Sequence, residues 1–114
     1  MFSDRERQLM QDVVDNADRI AAHLADMDFA AFERDARTTD AVERCLQRLT
    51  EAVIQLGQEA AIRADPTLPW HHVRTLGNRL RHDYRRIEPE VIFRTATVQV
   101  PALGAAIAAT LTTS

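Results

Sequence analysis

The sequence predicts an all-α fold, an up-and-down bundle of about five helical segments, and three observations carry this. Apolar residues recur at helical spacing through most of the 114 residues. Gly and Pro number only three and four, and aromatics are 5% of the chain, where a β-sandwich or barrel would want more Gly, Tyr and Val. At 12.9 kDa and 46% hydrophobic residues, the chain has the size and apolar content of one domain spanning residues 1–114.

The elements follow in order. Ser3 with Glu6 is a capping-box pattern, and Met10, Val13, Val14, Ala17, Ile20, Ala21, Leu24 and Met27 then recur on one face, which predicts a first helix from about Asp4 to Met27. Asp28, Phe29 and Phe32 read as a short helical turn that plugs two rings into the bundle before a polar break at Arg34 to Thr39. Thr38 or Thr39 then caps a second long helix with Val42, Cys45, Leu46, Leu49, Ala52, Val53 and Leu56 on one stripe. Asp65-Pro66 ends it, because a residue before proline avoids the α region.

Pro69 suits the first turn of a third helix, with Val73, Leu76 and Leu80 inward and Trp70 packing it onto the bundle. Glu88-Pro89-Glu90 starts a further helix, which Pro101 should kink or split. Beyond it, Gly104, Ala105, Ala106, Ala108 and Ala109 would let a neighbouring helix approach closely.

Composition narrows the function. A formal charge of −3 makes the whole chain no magnet for nucleic acid. Cys45, the single cysteine, excludes an internal disulfide and cannot make a zinc site alone, so a reduced, cytoplasmic setting is expected. The charged start, Met1 to Arg7, lacks a signal-peptide pattern. The weakly polar stretch Val100 to Leu111 contains Pro101 and is too short to span a bilayer, so no membrane contact is expected. No P-loop, dinucleotide-binding glycine run, HExxH or serine elbow occurs, and neither a cofactor nor a metal is expected. His71 and His72 are neighbours that point about 100° apart on a helix, not a metal-binding pair.

The positive charge is local. Between His71 and Arg86, Arg74, Arg79, Arg81, Arg85 and Arg86 face Asp83 alone, a window of +4 on a chain of −3. Such a patch attracts a phosphate or RNA, or pairs with an acidic partner or subunit. Arg74, Asn78 and His82 stand at i, i+4 and i+8 and share one polar stripe. Imidazole changes charge near neutral pH, so His82 suits proton transfer to and from ribose oxygens, with Asn78 orienting and an arginine fork holding phosphate charge. An exposed helix carrying an ordinary histidine is the plain alternative.

The run Gly77-Asn78-Arg79-Leu80-Arg81-His82-Asp83-Tyr84 resembles the signature of the HepT-like family of the HEPN superfamily, an Arg-Asn pair, a short spacer, then His-x-Tyr. Thr39-Asp40-Ala41-Val42-Glu43-Arg44, Leu49-Thr50-Glu51-Ala52-Val53, Pro69-Trp70 and the Glu-Pro-Glu-Val-Ile stretch are similar to the family in order and spacing, over essentially the whole chain. The resemblance implies an all-helical homodimer, RNA as substrate and a toxin ribonuclease that needs no metal. It assigns His82 to proton transfer and Asn78 to positioning. Tyr84 becomes the tyrosine to which an MNT-type nucleotidyltransferase antitoxin adds AMP. Arg79, Arg81, Arg85 and Arg86 are then expected to hold RNA.

The family pattern places an arginine at position 77, where this chain has Gly77, and Arg74 is the expected substitute on the His82 face. Two readings stay open. One is an active RNA endonuclease; the other is a catalytically silent HEPN module that binds RNA, a nucleotide or a nucleotidyltransferase.

Overall fold

The computed structural model describes residues 1–113, and every element in them is helical. Ser3 starts α1 (Asp4–Leu24) through the expected capping box: Glu6 N–H donates to Ser3 Oγ at 3.0 Å and Ser3 N–H to Glu6 Oε1 at 2.8 Å. The helix ends three residues before Met27, because Ala25 turns to φ 48° while its N–H still bonds Ala21. Asp28 then caps α2 (Phe29–Arg34) by accepting from Ala31 N–H. Phe32 is fully buried and Phe29 half-buried, both against the ring of Phe93 at centroid distances of 5.2 and 5.6 Å.

The second long helix, α3 (Ala36–Leu56), begins earlier than expected. Asp35, not Thr38 or Thr39, supplies the cap, its carboxylate accepting from Thr38 N–H at 3.1 Å, while Thr39 donates its hydroxyl to Ala36 C=O. Nor does the helix run to Asp65. Gly57, at φ 91°, divides it, and α4 (Gln58–Ala64) sets off in a new direction.

After Leu68, α5 (Trp70–His82) follows, then a 3₁₀ turn at Tyr84–Arg86. The final stretch comprises α6 (Pro89–Arg94), a π turn at Thr95–Gln99 and α7 (Val100–Thr113). Pro101 does not split it. Proline has no N–H to give the preceding turn, and the π turn absorbs the mismatch: Val100 N–H bonds Thr95 C=O and the backbone stays helical across both junctions. With Pro89–Thr113 counted as one, the described residues form six helices where about five segments were expected, and the all-α bundle stands. The continuous helix Pro89–Thr113 is 25 residues long and apolar enough to cross a membrane by length and composition, contrary to the expectation that Pro101 interrupts the stretch. Its inner face, with Ile92, Ala96, Val100 and Ile107, is buried in the core.

α3 is the spine, packed on α1 along one side and on α5 along the other, and α7 covers α1. Met10, Val13 and Ile20 of α1 join Val42, Leu46, Leu49 and Val53 of α3 in the core, each fully buried large side chain contributing roughly 1.5–3 kcal/mol. Gly104 permits the close approach of α7, since a Cβ there would stand 2.9 Å from that of Ala17. Cys45 is buried, as its stripe implies. The chain's two ends are tied in by Thr110, which donates to Ala64 C=O at 2.7 Å, and by Arg63, stacked 4.6 Å over Phe2. With α3 holding α5 from behind, the outer face of α5 is left to solvent.

Candidate nucleic-acid interface

Val73, Leu76, Gly77 and Leu80 form the buried face of α5, and the period of the helix turns Arg74, Asn78, Arg79 and His82 outward, all exposed. The structure thus keeps the three residues of the polar stripe on one surface. Asn78 and His82 are one turn apart, about 6 Å along the axis, and Arg74 is about 12 Å from His82 along the same axis.

The arginines divide by environment. Arg74 and Arg79 have no hydrogen-bond or ion-pair partner among the described residues. Arg81 is engaged twice: Nη1 lies 2.9 Å from Glu51 Oε2 on α3, and Nη2 donates to Asn78 Oδ1 at 3.0 Å. Arg86 stands 3.5 Å from Asp83, largely in solvent, so that pair is weak. Arg85 lies 5.9 Å from the ring centre of Tyr84.

Asp83 closes α5, its N–H bonding Arg79 C=O at 2.7 Å, and the chain turns at once into the 3₁₀ turn that carries Tyr84. Tyr84 is 51% exposed, which matters because a phenol must reach solvent to be modified. Beside it runs an open groove lined by Asp40, Glu43, Arg44 and Gln47 of α3 and by Leu80. Burial pushes the Glu43 carboxyl above its ordinary range, and the charge of Asp40 pushes it the same way.

Two features stand apart from this surface. An apolar cavity of about 180 Å³ lies at the other end of α5, between Leu49, His72, Leu76 and the π turn. His71 and His72 are exposed there, and among the described residues no group of three or more His, Cys, Asp or Glu side chains gathers to hold a metal.

Glu51 is the site residue that the sequence did not single out. It lies on another helix from the stripe, and as one acid among many on the charged side of α3 it carried no periodic signal. Gly77 also takes on a different meaning. It is buried, and a Cβ there would come within 3.0 Å of Thr50 and Ile54, so position 77 faces α3 and not the stripe.

The family model described as Ribonuclease HepT-like matches residues 13–110. The chain belongs to the HepT-like ribonuclease family. A relative within reach of this HepT-like chain is the protein named "Putative RNase MJ0127" of Methanocaldococcus jannaschii, 33% identical over 95 residues, which cover 83% of this chain and 78% of that one. No solved structure matches the chain. The HepT-like match takes in α5, the Tyr84 turn and the face of α3 that supports them.

Proposed function

We propose that this HepT-like protein is an RNA endonuclease whose reacting surface is the outer face of α5. The observation that carries the reading is the exposed stripe of Arg74, Asn78 and His82 in a chain that belongs to a ribonuclease family. RNA brings its own nucleophile. One His82 takes the proton from a 2′-hydroxyl, the oxygen attacks the adjacent phosphorus, and the P–O5′ bond breaks as a second imidazole protonates the departing 5′-oxygen. The products are a 2′,3′-cyclic phosphate and a 5′-hydroxyl, and no metal is called for. Asn78 holds the charge on the phosphorane, joined by Arg74 either arching over Asn78 or acting on the other subunit's site, the kind of fixed electrostatic help that is commonly the largest single contribution. A homodimer with this face at its interface supplies the second imidazole as the partner subunit's His82.

Arg79, Arg85 and Arg86 then hold flanking phosphates, and the acidic remainder of the surface discourages indiscriminate binding. The same surface suits a cytoplasmic toxin with an MNT-type nucleotidyltransferase antitoxin. Tyr84 Oη attacks the α-phosphorus of ATP, pyrophosphate leaves, and the AMP phosphate is set down beside Arg85, where it competes with RNA for positive charge.

A second reading rests on Gly77. With hydrogen where the family pattern has a guanidinium, the protein would bind RNA, a nucleotide or the nucleotidyltransferase without cutting. Labelled single-stranded RNA incubated in EDTA with wild-type protein and with His82→Ala separates the two. Cleavage by wild type alone supports the nuclease; RNA bound but left intact by both supports the binding module.

A further inference from the structure

The outer face of α5 is connected to α3 by a row of polar contacts that the reaction above leaves unused. Gln55 donates from Nε2 to Glu51 Oε1 at 3.1 Å. Glu51 Oε2 makes a charge contact with Arg81 Nη1 at 2.9 Å, not aligned as a hydrogen bond, and Arg81 Nη2 donates to Asn78 Oδ1 at 3.0 Å. A guanidinium has donors and no acceptor, so Asn78 must turn its carbonyl oxygen to Arg81 and its NH₂ away from it. About two thirds of each side chain in the Glu51–Arg81 pair is covered, with 33% and 35% exposed, which limits how far solvent weakens the contact. Gly77 makes the geometry possible, because its missing side chain lets α5 settle against Thr50, the neighbour of Glu51.

We propose that Glu51 is a positioning residue: acting through Arg81, it fixes the Asn78 amide with its N–H bonds presented to the RNA phosphate beside His82. This rests on the reading of α5 as the RNA-cleaving face and changes one assignment within it. Arg81 is a strut whose charge is already answered by Glu51, not a cation held ready for the RNA backbone.

The test uses the full-length protein in four forms: wild type, Glu51→Gln, Arg81→Ala, and the charge swap Glu51→Arg with Arg81→Glu. Glu51→Gln keeps shape and removes charge. Two quantities are read: the Asn78 side-chain amide by ¹⁵N–¹H NMR, and kcat and KM on a labelled RNA, with thermal melting confirming the fold. In Glu51→Gln and Arg81→Ala the Asn78 amide loses its fixed environment and kcat falls about 10- to 100-fold, the scale of a misplaced catalytic group. KM stays within about twofold, since uniform binding is unaffected. The swap restores an ion pair and the melting temperature but not kcat, because a carboxylate at position 81 accepts only and turns the amide around.

Recovery of kcat in the swap would reduce Glu51 to a structural role and overturn the proposal, as would a rise in KM with kcat intact in Arg81→Ala. If wild type does not cut RNA, the cleavage reading fails by itself, and the positioning claim is judged with a 2′-deoxy oligonucleotide. Binding that shifts the Asn78 amide in wild type but not in Glu51→Gln supports it. No shift in wild type removes it.

Discussion

Gly77 of α5 lies directly against Thr50 of α3, so close that a Cβ at position 77 would stand 3.0 Å from both the Cβ and the Oγ1 of the threonine. Thr50 has little freedom to retreat, because its hydroxyl donates to Leu46 C=O at 2.8 Å. Gly77→Ala gains about 1 kcal/mol of helix propensity but meets an overpacking cost of roughly 1–3 kcal/mol. The expected outcome in urea unfolding is a net loss of up to about 2 kcal/mol. Gly77→Arg, which would restore the family pattern, is expected to be far more destabilising and to give no gain in RNA cleavage.

The different surroundings of the arginines should appear in salt dependence. Each phosphate contact on single-stranded RNA contributes about −0.7 to the slope of log K against log salt. Arg79→Ala is expected to make the slope shallower by about that amount. Arg81→Ala, whose charge faces Glu51 at 2.9 Å, is expected to leave it unchanged. Titrations of a fluorescent oligonucleotide at several salt concentrations measure both.

Phe32 anchors α2 against Phe93 and is 1% exposed. Phe32→Ala is expected to cost about 3–5 kcal/mol, a large share of the stability of a domain this size. The loss is global, so RNA affinity at low temperature, where the fold persists, should be unaltered. Denaturant unfolding with a parallel binding assay checks both halves.

Pro101 sits where the π turn meets α7 and is exposed, so its ring can be removed without opening the core. Pro101→Ala returns an N–H to the helix and relieves part of the roughly 3 kcal/mol that an interior proline costs. Greater freedom of the unfolded chain takes back about 0.4–1 kcal/mol. A rise in melting temperature is the expected result.

Two carboxylates should move stability in opposite directions with pH. The Thr38 N–H holds the Asp35 carboxyl below its ordinary value, so its stabilisation is present above the unfolded pKa and disappears as pH falls through the lower folded one. Glu43 is raised by burial and by Asp40, so its protonated form suits the fold: stability is greatest below the unfolded pKa and declines as pH rises through the folded one. Glu43→Gln is therefore expected to stabilise at neutral pH and to lose that advantage in acid. Asp35→Ala is expected to destabilise at neutral pH and to match wild type more closely in acid. Melting curves across the acid range distinguish the two.

The repeating apolar positions in Met10 to Leu24, Val42 to Leu56 and Val73 to Leu80 made the helices legible, since a period of 3.6 is written directly into the order of residues. The capping box at Ser3 was equally local. Boundaries were missed where two local preferences competed: Asp35 won the cap from Thr38 and Thr39, and Gly57 broke a helix whose apolar stripe continued on either side. The continuous helix through Pro101 was hidden because a π turn depends on how Thr95 to Gln99 repack, not on the proline alone.

The outward stripe of Arg74, Asn78 and His82 and the local concentration of arginine are fixed by spacing and composition, so they are legible in the order of residues alone. Which arginine is committed and which has no partner among the described residues could not. Glu51 reaches Arg81, and Thr50 fills the space at Gly77, only because α3 and α5 pack at one register and at short range. A helical period states which face a residue occupies; it does not state what comes to meet that face from elsewhere in the chain.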